Sequence, residues 1–278
     1  MSKYYCLIAG LPDLSLEDGK LSYTVATFKT EIYPTLSAAD RRLVDLFYLR
    51  YDNANLLTLL ADREASIRPL GSYSAEQLLD LIATVKEGER RPKGFPSYMI
   101  DFTAAYLSGS AEMRFPADVL ASGYYAHAMD CGNRFVRDWF EFNLNLNNVL
   151  AALTARKYKW EVAPYVVGEG EVADAIRTSA ARDFGLADRL DCFDQLLRIS
   201  ETDELVEREK RTDLLKWVWM EDATVYDYFT IERLFVFLLR LDLIERWISL
   251  DKEKGSILFR SLIGTLKNEV QIPSEFRK

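Results

Sequence analysis

The chain has 278 residues, of which 49% are hydrophobic and 28% are charged, the balance of a folded protein with a substantial core rather than a disordered one. Its formal net charge of -8 opposes binding to a phosphate backbone, so nucleic acid is not expected as a partner. No apolar run approaches the roughly 18 to 20 residues of a membrane span, and the opening residues turn acidic too soon for a signal peptide. Three scattered cysteines, Cys6, Cys131 and Cys192, predict reduced thiols rather than a disulfide framework.

Apolar residues recur with helical spacing along most of the chain, which predicts an all-α fold. The opening segment YYCLIAG is the one predicted strand. Helices are expected near 37–64, 74–87, 97–108, 116–130, 132–157, 169–183, 186–199, 202–220, 230–248 and 254–269. Ser37, Ser74 and Thr230 are the predicted N-caps, and Gln77 completes a capping box with Ser74.

Pro- and Gly-rich stretches separate these helices, as in RPLGS, GERRPKGFPS and KWEVAPYVVGEG. None is long or simple enough in composition to act as a flexible linker. Residues 1–278 are therefore predicted to form one compact helical subunit.

Two of the predicted helices resemble each other when the sequence is shifted by 93 residues. The pairs of identical residues then include Arg41 and Arg134, Asp45 and Asp138, Asn55 and Asn148, Leu57 and Leu150, Leu60 and Leu153, and Arg63 and Arg156. This similarity predicts pseudo-repeats at 37–64 and 134–157, with a weaker third at 230–269. Repetition of a structural unit is typical of a scaffold rather than of a single catalytic pocket.

Each of the two helices carries a polar stripe opposite its apolar stripe. Six residues of these stripes are the candidate structural or interface residues: Asp52, Asn55, Arg63, Asn145, Asn148 and Arg156. An asparagine inside a helix lowers helix propensity and needs hydrogen bonds if it is buried. We expect the asparagines to bridge to neighbouring helix ends and the arginines to pair with carboxylates or carbonyls. The alternative is that both stripes face solvent.

The residues that could carry chemistry are few. His127 is the only histidine and lies near Asp130 and Cys131 at helical spacing, but these supply too few ligands for a predicted metal site. Acidic pairs such as Glu169 with Glu171 fall near helix ends, where acids are favourable or solvated. No G-x-x-x-x-G-K-[ST] or G-x-G-x-x-G motif is present. No catalytic residue, metal or cofactor is therefore predicted, and no nucleotide binding.

Several segments resemble a known family. The opening YYCLIAGLPDLSLED resembles the DUF2764 family, a bacterial branch of the AC39-type (C-type or d-type) component of V-type and A-type rotary ATPases. YDNANLLTLLADRE and LNLNNVLAALTARK resemble pseudo-repeat segments of that component. The stretch from FTIERLF to LKNEV is similar to its final segment, with Glu245, Arg246 and Gly255 in the expected order.

The resemblance implies three related helical lobes that form a funnel-like subunit. Such a subunit is non-catalytic: it caps the membrane rotor ring, receives the foot of the central stalk and transmits torque for ion transport. It would be cytoplasmic and peripheral at the inner face of the cell membrane. The basic stretch at Arg90, Arg91 and Lys93 would then face anionic lipid headgroups or an acidic stalk subunit, unless it is a solvated loop. The alternative is a freestanding helical interaction or assembly protein, with an all-helical enzyme as a third possibility.

Overall fold

The computed structural model describes residues 4–88, 92–109 and 115–269, with side chains described as far as residue 251. All regular structure in these residues is helical, so the predicted all-α fold is confirmed. The α-helices are α1 (Tyr5–Ala9), α2 (Val25–Thr27), α3 (Ala38–Ala61), α4 (Ala75–Lys86), α5 (Ser97–Leu107), α6 (Pro116–Met129), α7 (Arg134–Lys157), α8 (Glu171–Thr178), α9 (Phe193–Ser200), α10 (Leu205–Ala223) and α11 (Ile231–Glu269). A π-helical turn, Phe28–Ile32, and a 3-10 turn, Tyr33–Thr35, join α2 to α3.

Helices α3 to α6 pack as successive neighbours, and α6 returns to lie beside α3. Both predicted caps in this region are confirmed. Ser37 Oγ accepts a hydrogen bond from the backbone N–H of Asp40 at the start of α3. Ser74 and Gln77 form the reciprocal bonds of a capping box at the start of α4. These bonds satisfy backbone donors that have no partner inside the helix and so fix where each helix begins.

Helix α7 is the central element of the second half of the chain and contacts α6, α8, α9, α10 and α11. Its aromatic residues Trp139, Phe140 and Phe142 are buried. The ring of Phe142 stacks on that of Trp219 from α10 at a centroid distance of 4.8 Å. Large aromatic contacts of this kind bury much apolar area and hold the two helices together.

Helix α11 closes the fold against the N-terminal part of the chain. Its buried apolar side chains extend from Ile231 to Ile244. One residue further on, Glu245 Oε1 accepts a hydrogen bond of 2.7 Å from the backbone N–H of Val25 in α2. Asp242 accepts two bonds from the guanidinium of Arg50 on α3, at 2.5 and 2.6 Å. The first and last parts of the described chain therefore share one hydrophobic core.

The predicted strand YYCLIAG is wrong, because Tyr5–Ala9 forms α1. A strand needs a neighbouring strand to pair its backbone, and the part of the chain that the structure describes contains none. The segment is held instead by the backbone N–H of Tyr4, which donates to the carbonyl of Phe229. No described helix is long and apolar enough to cross a membrane.

Several helix boundaries differ from the predicted ones. Helix α8 starts after Gly170, whose φ of +122° is outside the helical range, and α9 starts at Phe193 rather than 186. Phe184 and Gly185 both have positive φ, which forms a turn where a helix was expected to start. Helix α11 runs unbroken through Gly255, because a single glycine inside a helix costs only about 1 kcal/mol relative to alanine.

The ion pair between Arg50 and Asp242 provides a test of how α11 is held. The Asp242 side chain is 15% exposed, so replacing Arg50 by methionine leaves a largely buried carboxylate without its cation. We expect Arg50→Met to lower the free energy of unfolding by about 1–3 kcal/mol in urea titrations. The control is Arg134→Met, which removes an exposed pair with Asp138 and should change the value by less than about 0.5 kcal/mol. Equal effects of the two variants would contradict the assigned role.

Candidate functional site

Two long helices each hold a neighbouring loop through buried polar side chains, an arrangement that we call a clamp. The first clamp consists of Asp52 and Asn55 of α3 and the loop 68–73 that returns beside them. The amide of Asn55 donates to the carbonyl of Arg68 and accepts from the N–H of the same residue, both at 2.9 Å. The Asp52 carboxylate accepts from the backbone N–H groups of Ser72 and Tyr73, both at 3.0 Å. Asp52 and Asn55 are fully buried, so these bonds replace water that the loop backbone has lost.

Lys29 and Gly71 complete the first clamp. The ammonium of Lys29 donates to the carbonyls of Leu70, at 2.7 Å, and Gly71. Burial raises the pKa of Asp52 above its ordinary value, although the two N–H bonds and Lys29 oppose the shift. Burial likewise lowers the pKa of Lys29, against the attraction of Asp52. The opposite charges therefore offset part of each other's burial cost.

The second clamp consists of Asn148 of α7 and the loop 166–168. The Asn148 amide donates to the carbonyl of Val167 and accepts from its N–H, both at 2.8 Å. A cation again binds the loop carbonyls: Arg177 Nη2 donates to Val166 at 3.0 Å and to Gly168 at 2.6 Å. Asn145, at the position of Asp52, is half-buried and makes no side-chain hydrogen bond within the described residues. The paired bonds of the asparagine are thus common to both clamps, whereas the carboxylate is not.

Arg156 and Arg63 have different surroundings. The Arg156 guanidinium donates to the carbonyls of Ser179, Ala181 and Arg182 at 2.6 to 3.0 Å and lies over the ring of Phe184, 3.5 Å from its centroid. Helix α8 ends at Thr178, and the next residue, Ser179, has an extended backbone conformation. Arg63 is exposed in the turn after α3 and makes no ion pair with any residue that the structure describes. The expected pairing with carbonyls is therefore seen for Arg156 and not for Arg63.

The polar stripes are not simply solvent faces. Asp52, Asn55 and Asn148 are each at most 1% exposed, so the solvent-face alternative is wrong for these three residues. The solvent-face alternative does fit Arg63, which is exposed. The fully buried candidates are thus internal supports of two loops, whereas Arg63 is an exposed cation.

A cavity of about 750 Å³ lies beside the first clamp, between α3 and the turn from α6 to α7. Ser72 and Tyr73, whose backbone the Asp52 carboxylate holds, form part of its wall. Tyr33 and Asp45 lie on the wall and are joined by a hydrogen bond of 2.6 Å from the phenol to the carboxylate. The clamp therefore shapes this cavity as well as the loop.

The electrostatics of the cavity wall are governed by burial. Burial raises the pKa of Asp45, opposed by the bond from Tyr33 and by Lys29 and Arg41. Burial and the Asp45 carboxylate raise the pKa of Tyr33 to about 12. The phenol thus keeps its proton at neutral pH and donates a hydrogen bond to the carboxylate.

His127, Asp130 and Cys131 also line the cavity. Burial lowers the pKa of His127, opposed by Asp130, and its ring packs 5.5 Å from that of Tyr98. No group of three or more metal-ligating side chains occurs among the residues that the structure describes. The packing of the His127 ring against Tyr98 agrees with a structural role for this residue.

Other acidic residues lie near helix ends, and part of the basic stretch lies outside the described chain. Glu204 accepts from the N–H groups of Val206 and Glu207 at the start of α10, which is where acids are favourable. Asp203 pairs with Lys157 at 2.9 Å. Arg90 and Arg91 of the basic stretch lie outside the described residues, and Lys93 is exposed.

A buried acid between α10 and α11 was not predicted from the sequence. Asp213 is 1% exposed, and its carboxylate accepts a bond of 2.9 Å from the indole of Trp247 and another from the guanidinium of Arg246. The dense charges of VEREKRTDLLKW resemble a solvated helix face, so the composition of this segment alone gives no sign of burial. The available signal was Trp217, which lies four residues after Asp213 and therefore on the same face of α10.

The geometry of the second clamp predicts that substitution of Asn148 lowers the free energy of unfolding strongly, whereas substitution of Asn145 changes it little. Asn148→Leu leaves the N–H and C=O of Val167 without partners, which costs about 1–3 kcal/mol for each unsatisfied group. We expect the free energy of unfolding in urea to fall by at least about 2 kcal/mol. Asn145→Ala removes no described hydrogen bond and serves as the control, with an expected change below about 0.5 kcal/mol. A small effect at Asn148 would show that the clamp does not hold the loop.

Gly71 provides an independent test of the first clamp. A Cβ atom there would collide with Oδ1 of Asp52 and lie 3.1 Å from Nδ2 of Asn55. We expect Gly71→Ala to displace the clamp and lower the melting temperature, at a cost of about 1–3 kcal/mol. Gly132→Ala is the matched control, because a Cβ at Gly132 meets no atom within 4 Å. Unchanged melting of Gly71→Ala would contradict the close packing described.

Comparisons with known proteins give one match. No curated protein and no solved structure matches the chain. A family model described as "Protein of unknown function (DUF2764)" matches residues 1–270. This match covers the opening segment, both clamps and α11. The chain therefore belongs to the DUF2764 family.

Proposed function

We propose that this protein is a non-catalytic coupling subunit of a V/A-type rotary ATPase. In this role it links the central stalk to the membrane rotor ring and transmits torque for ion transport. It is peripheral at the cytoplasmic face of the membrane and binds no nucleotide itself. The proposal extends the resemblance of the segments around Asn55 and Asn148 to the pseudo-repeats of the AC39-type component.

The observation that carries this proposal is the clamp found on both α3 and α7. Each of these 24-residue helices uses a buried asparagine to bind both backbone groups of one loop residue. A cation binds the neighbouring carbonyls in each case. Buried polar networks whose members are all satisfied rigidify the structure around them. A part that transmits torque needs such rigidity, because a soft part would absorb the rotation.

The exposed residue Arg63, after the end of α3, is a candidate contact with other subunits. Arg63 follows α3 directly and has no described partner, while Arg156 at the end of α7 is engaged by three carbonyls. Replacing Arg63 should therefore weaken a partner contact without unfolding the chain. Replacing Arg156 should disturb the loop 179–182.

The test is an affinity purification from detergent-solubilised membranes of the native host, in which the tagged protein is expressed at its native level. We expect rotor-ring and central-stalk subunits in the eluate by quantitative mass spectrometry. With Arg63→Glu we expect their recovery to fall at least about fivefold, which corresponds to about 1 kcal/mol in a lost ion pair. Arg189→Glu, a change at another exposed arginine, is the control and should leave recovery unchanged.

Three results would overturn the proposal or part of it. Ring and stalk subunits at the level of an untagged control would reject the coupling role. A soluble partner without any ATPase subunit would favour a freestanding interaction or assembly protein. Equal losses for Arg63→Glu and Arg189→Glu would reject Arg63 as the contact.

A further inference from the structure

The turn between α10 and α11 exposes an unusual number of large apolar side chains. Val225 is 53% exposed, Tyr226 87% and Tyr228 66%, with Phe229 at 37%. Tyr5 of α1 packs on Phe229 at 4.6 Å and extends the same surface. We call these five residues the aromatic turn. A contiguous exposed apolar patch is uncommon on a monomer and marks an interaction site.

The aromatic turn is held in place rather than loose. The N–H of Tyr4 donates to the carbonyl of Phe229 at 2.8 Å and fixes α1 against it. Thr224 at its start is 2% exposed and donates to the carbonyl of Met220 at 2.7 Å. Binding of a partner would therefore cost little ordering of this surface.

A cavity of about 300 Å³ opens beside the aromatic turn, with Tyr228 and Phe229 on its wall. Two arginines of α11, Arg233 and Arg240, also line it. They are seven residues apart and so lie on one face of the helix. The other lining residues are mainly apolar: Ile8, Leu11, Pro12, Leu14, Val236 and Phe237.

Arg240 has hydrogen-bonding capacity that the described residues do not use. Its side chain is 11% exposed, and both Nε and Nη2 are buried without a hydrogen-bond partner. Trp217 covers the guanidinium at 4.2 Å, and Glu221 approaches Nη2 only to 3.8 Å. Burial lowers the pKa of Arg240, Glu221 opposes this shift and Arg233 adds to it. Unpaired buried donors are rare because each has lost its hydrogen bonds to water without a replacement.

Asp13 is the carboxylate on the described cavity wall, but it is exposed and forms no ion pair with either arginine in the described part of the chain. The cavity therefore combines two cations, apolar walls and an apolar rim. Its volume is at the lower limit for small-molecule pockets, so it fits a side chain rather than an extended ligand.

We propose that the aromatic turn and this cavity form a docking surface for a protein segment that carries an acidic side chain between apolar ones. The carboxylate enters the cavity between Arg233 and Arg240, and the apolar neighbours cover Tyr226 and Val225. Paired guanidinium donors suit a carboxylate, and exposed tyrosine and phenylalanine suit the apolar centre of an interface. The inference goes beyond the rotary role, since it concerns the chemistry of the partner and not its identity.

The experiment is a selection from a random-sequence library of capped peptides on the immobilised full-length protein. We expect selected peptides to contain aspartate or glutamate flanked by apolar residues. The strongest peptide is then compared with its Glu→Gln or Asp→Asn counterpart by fluorescence anisotropy. The acidic form should bind at least about tenfold more tightly, as a charged hydrogen bond of about 1.5 kcal/mol implies.

Variants of the protein locate the site. Arg240→Gln and Arg233→Gln should each remove most of the preference for the acidic peptide, whereas Arg189→Gln, an exposed arginine elsewhere, should retain it. Tyr226→Ala changes a side chain that is 87% exposed, so it should fold normally yet lower the affinity at least about fivefold. Circular dichroism melting checks each variant, and Tyr226→Ala keeps the test valid if Arg240→Gln does not fold.

Several outcomes would overturn the inference. These are no selected peptides, selected peptides without an acid, equal binding of the acidic and amide forms, or full affinity in Tyr226→Ala. Vesicles of phosphatidylglycerol provide the remaining comparison. Binding to these vesicles that needs Arg233 and Arg240, without selection of acidic peptides, would assign the surface to lipid phosphate and reject a protein segment.

Discussion

The structure depends on how backbone groups are satisfied where loops pack against the sides of long helices. Such loops lose water from their N–H and C=O groups, and each unpaired group would cost free energy. Asn55 and Asn148 meet this need because a primary amide can donate and accept at once. Each asparagine pairs with both backbone groups of one loop residue, as a neighbouring strand would. Long helices can thereby carry closely packed loops on their flanks.

The two clamps differ in the loop that each one holds and in the part of the chain that supplies the cation. The loop held by Asp52 forms a wall of the large cavity beside α3, and its cation comes from the residues before the helix. The loop held by Asn148 leads into α8, and its cation, Arg177, comes from the residues after the clamp. A carboxylate is needed only in the first clamp, where two further N–H groups point at α3. The shared element is thus the amide, and the charges follow from the path of each loop.

The all-α fold, the caps at Ser37 and Ser74 and the importance of Asn55 and Asn148 could be predicted from the sequence. Each of these follows from spacing along one helix, which the sequence contains directly. The bonding partners could not be predicted, since the loop residue lies 13 positions after Asn55 and 19 after Asn148. The number of residues between each asparagine and its partner depends on the path by which the loop returns to the helix. Asp213 was missed for the same reason, because its burial depends on residues of a later helix.

The continuity of α11 has a mechanical consequence. A helix of 39 residues, at about 1.5 Å per residue, is about 58 Å long. Where its side chains are described, its buried apolar residues end at Ile244, and the 25 residues from 245 to 269 span about 37 Å. A rigid helix of this length that tilts by about 5° moves its end by about 3 Å. The direction of α11 is therefore set by the bonds that hold it at Asp242, Glu245 and Arg246.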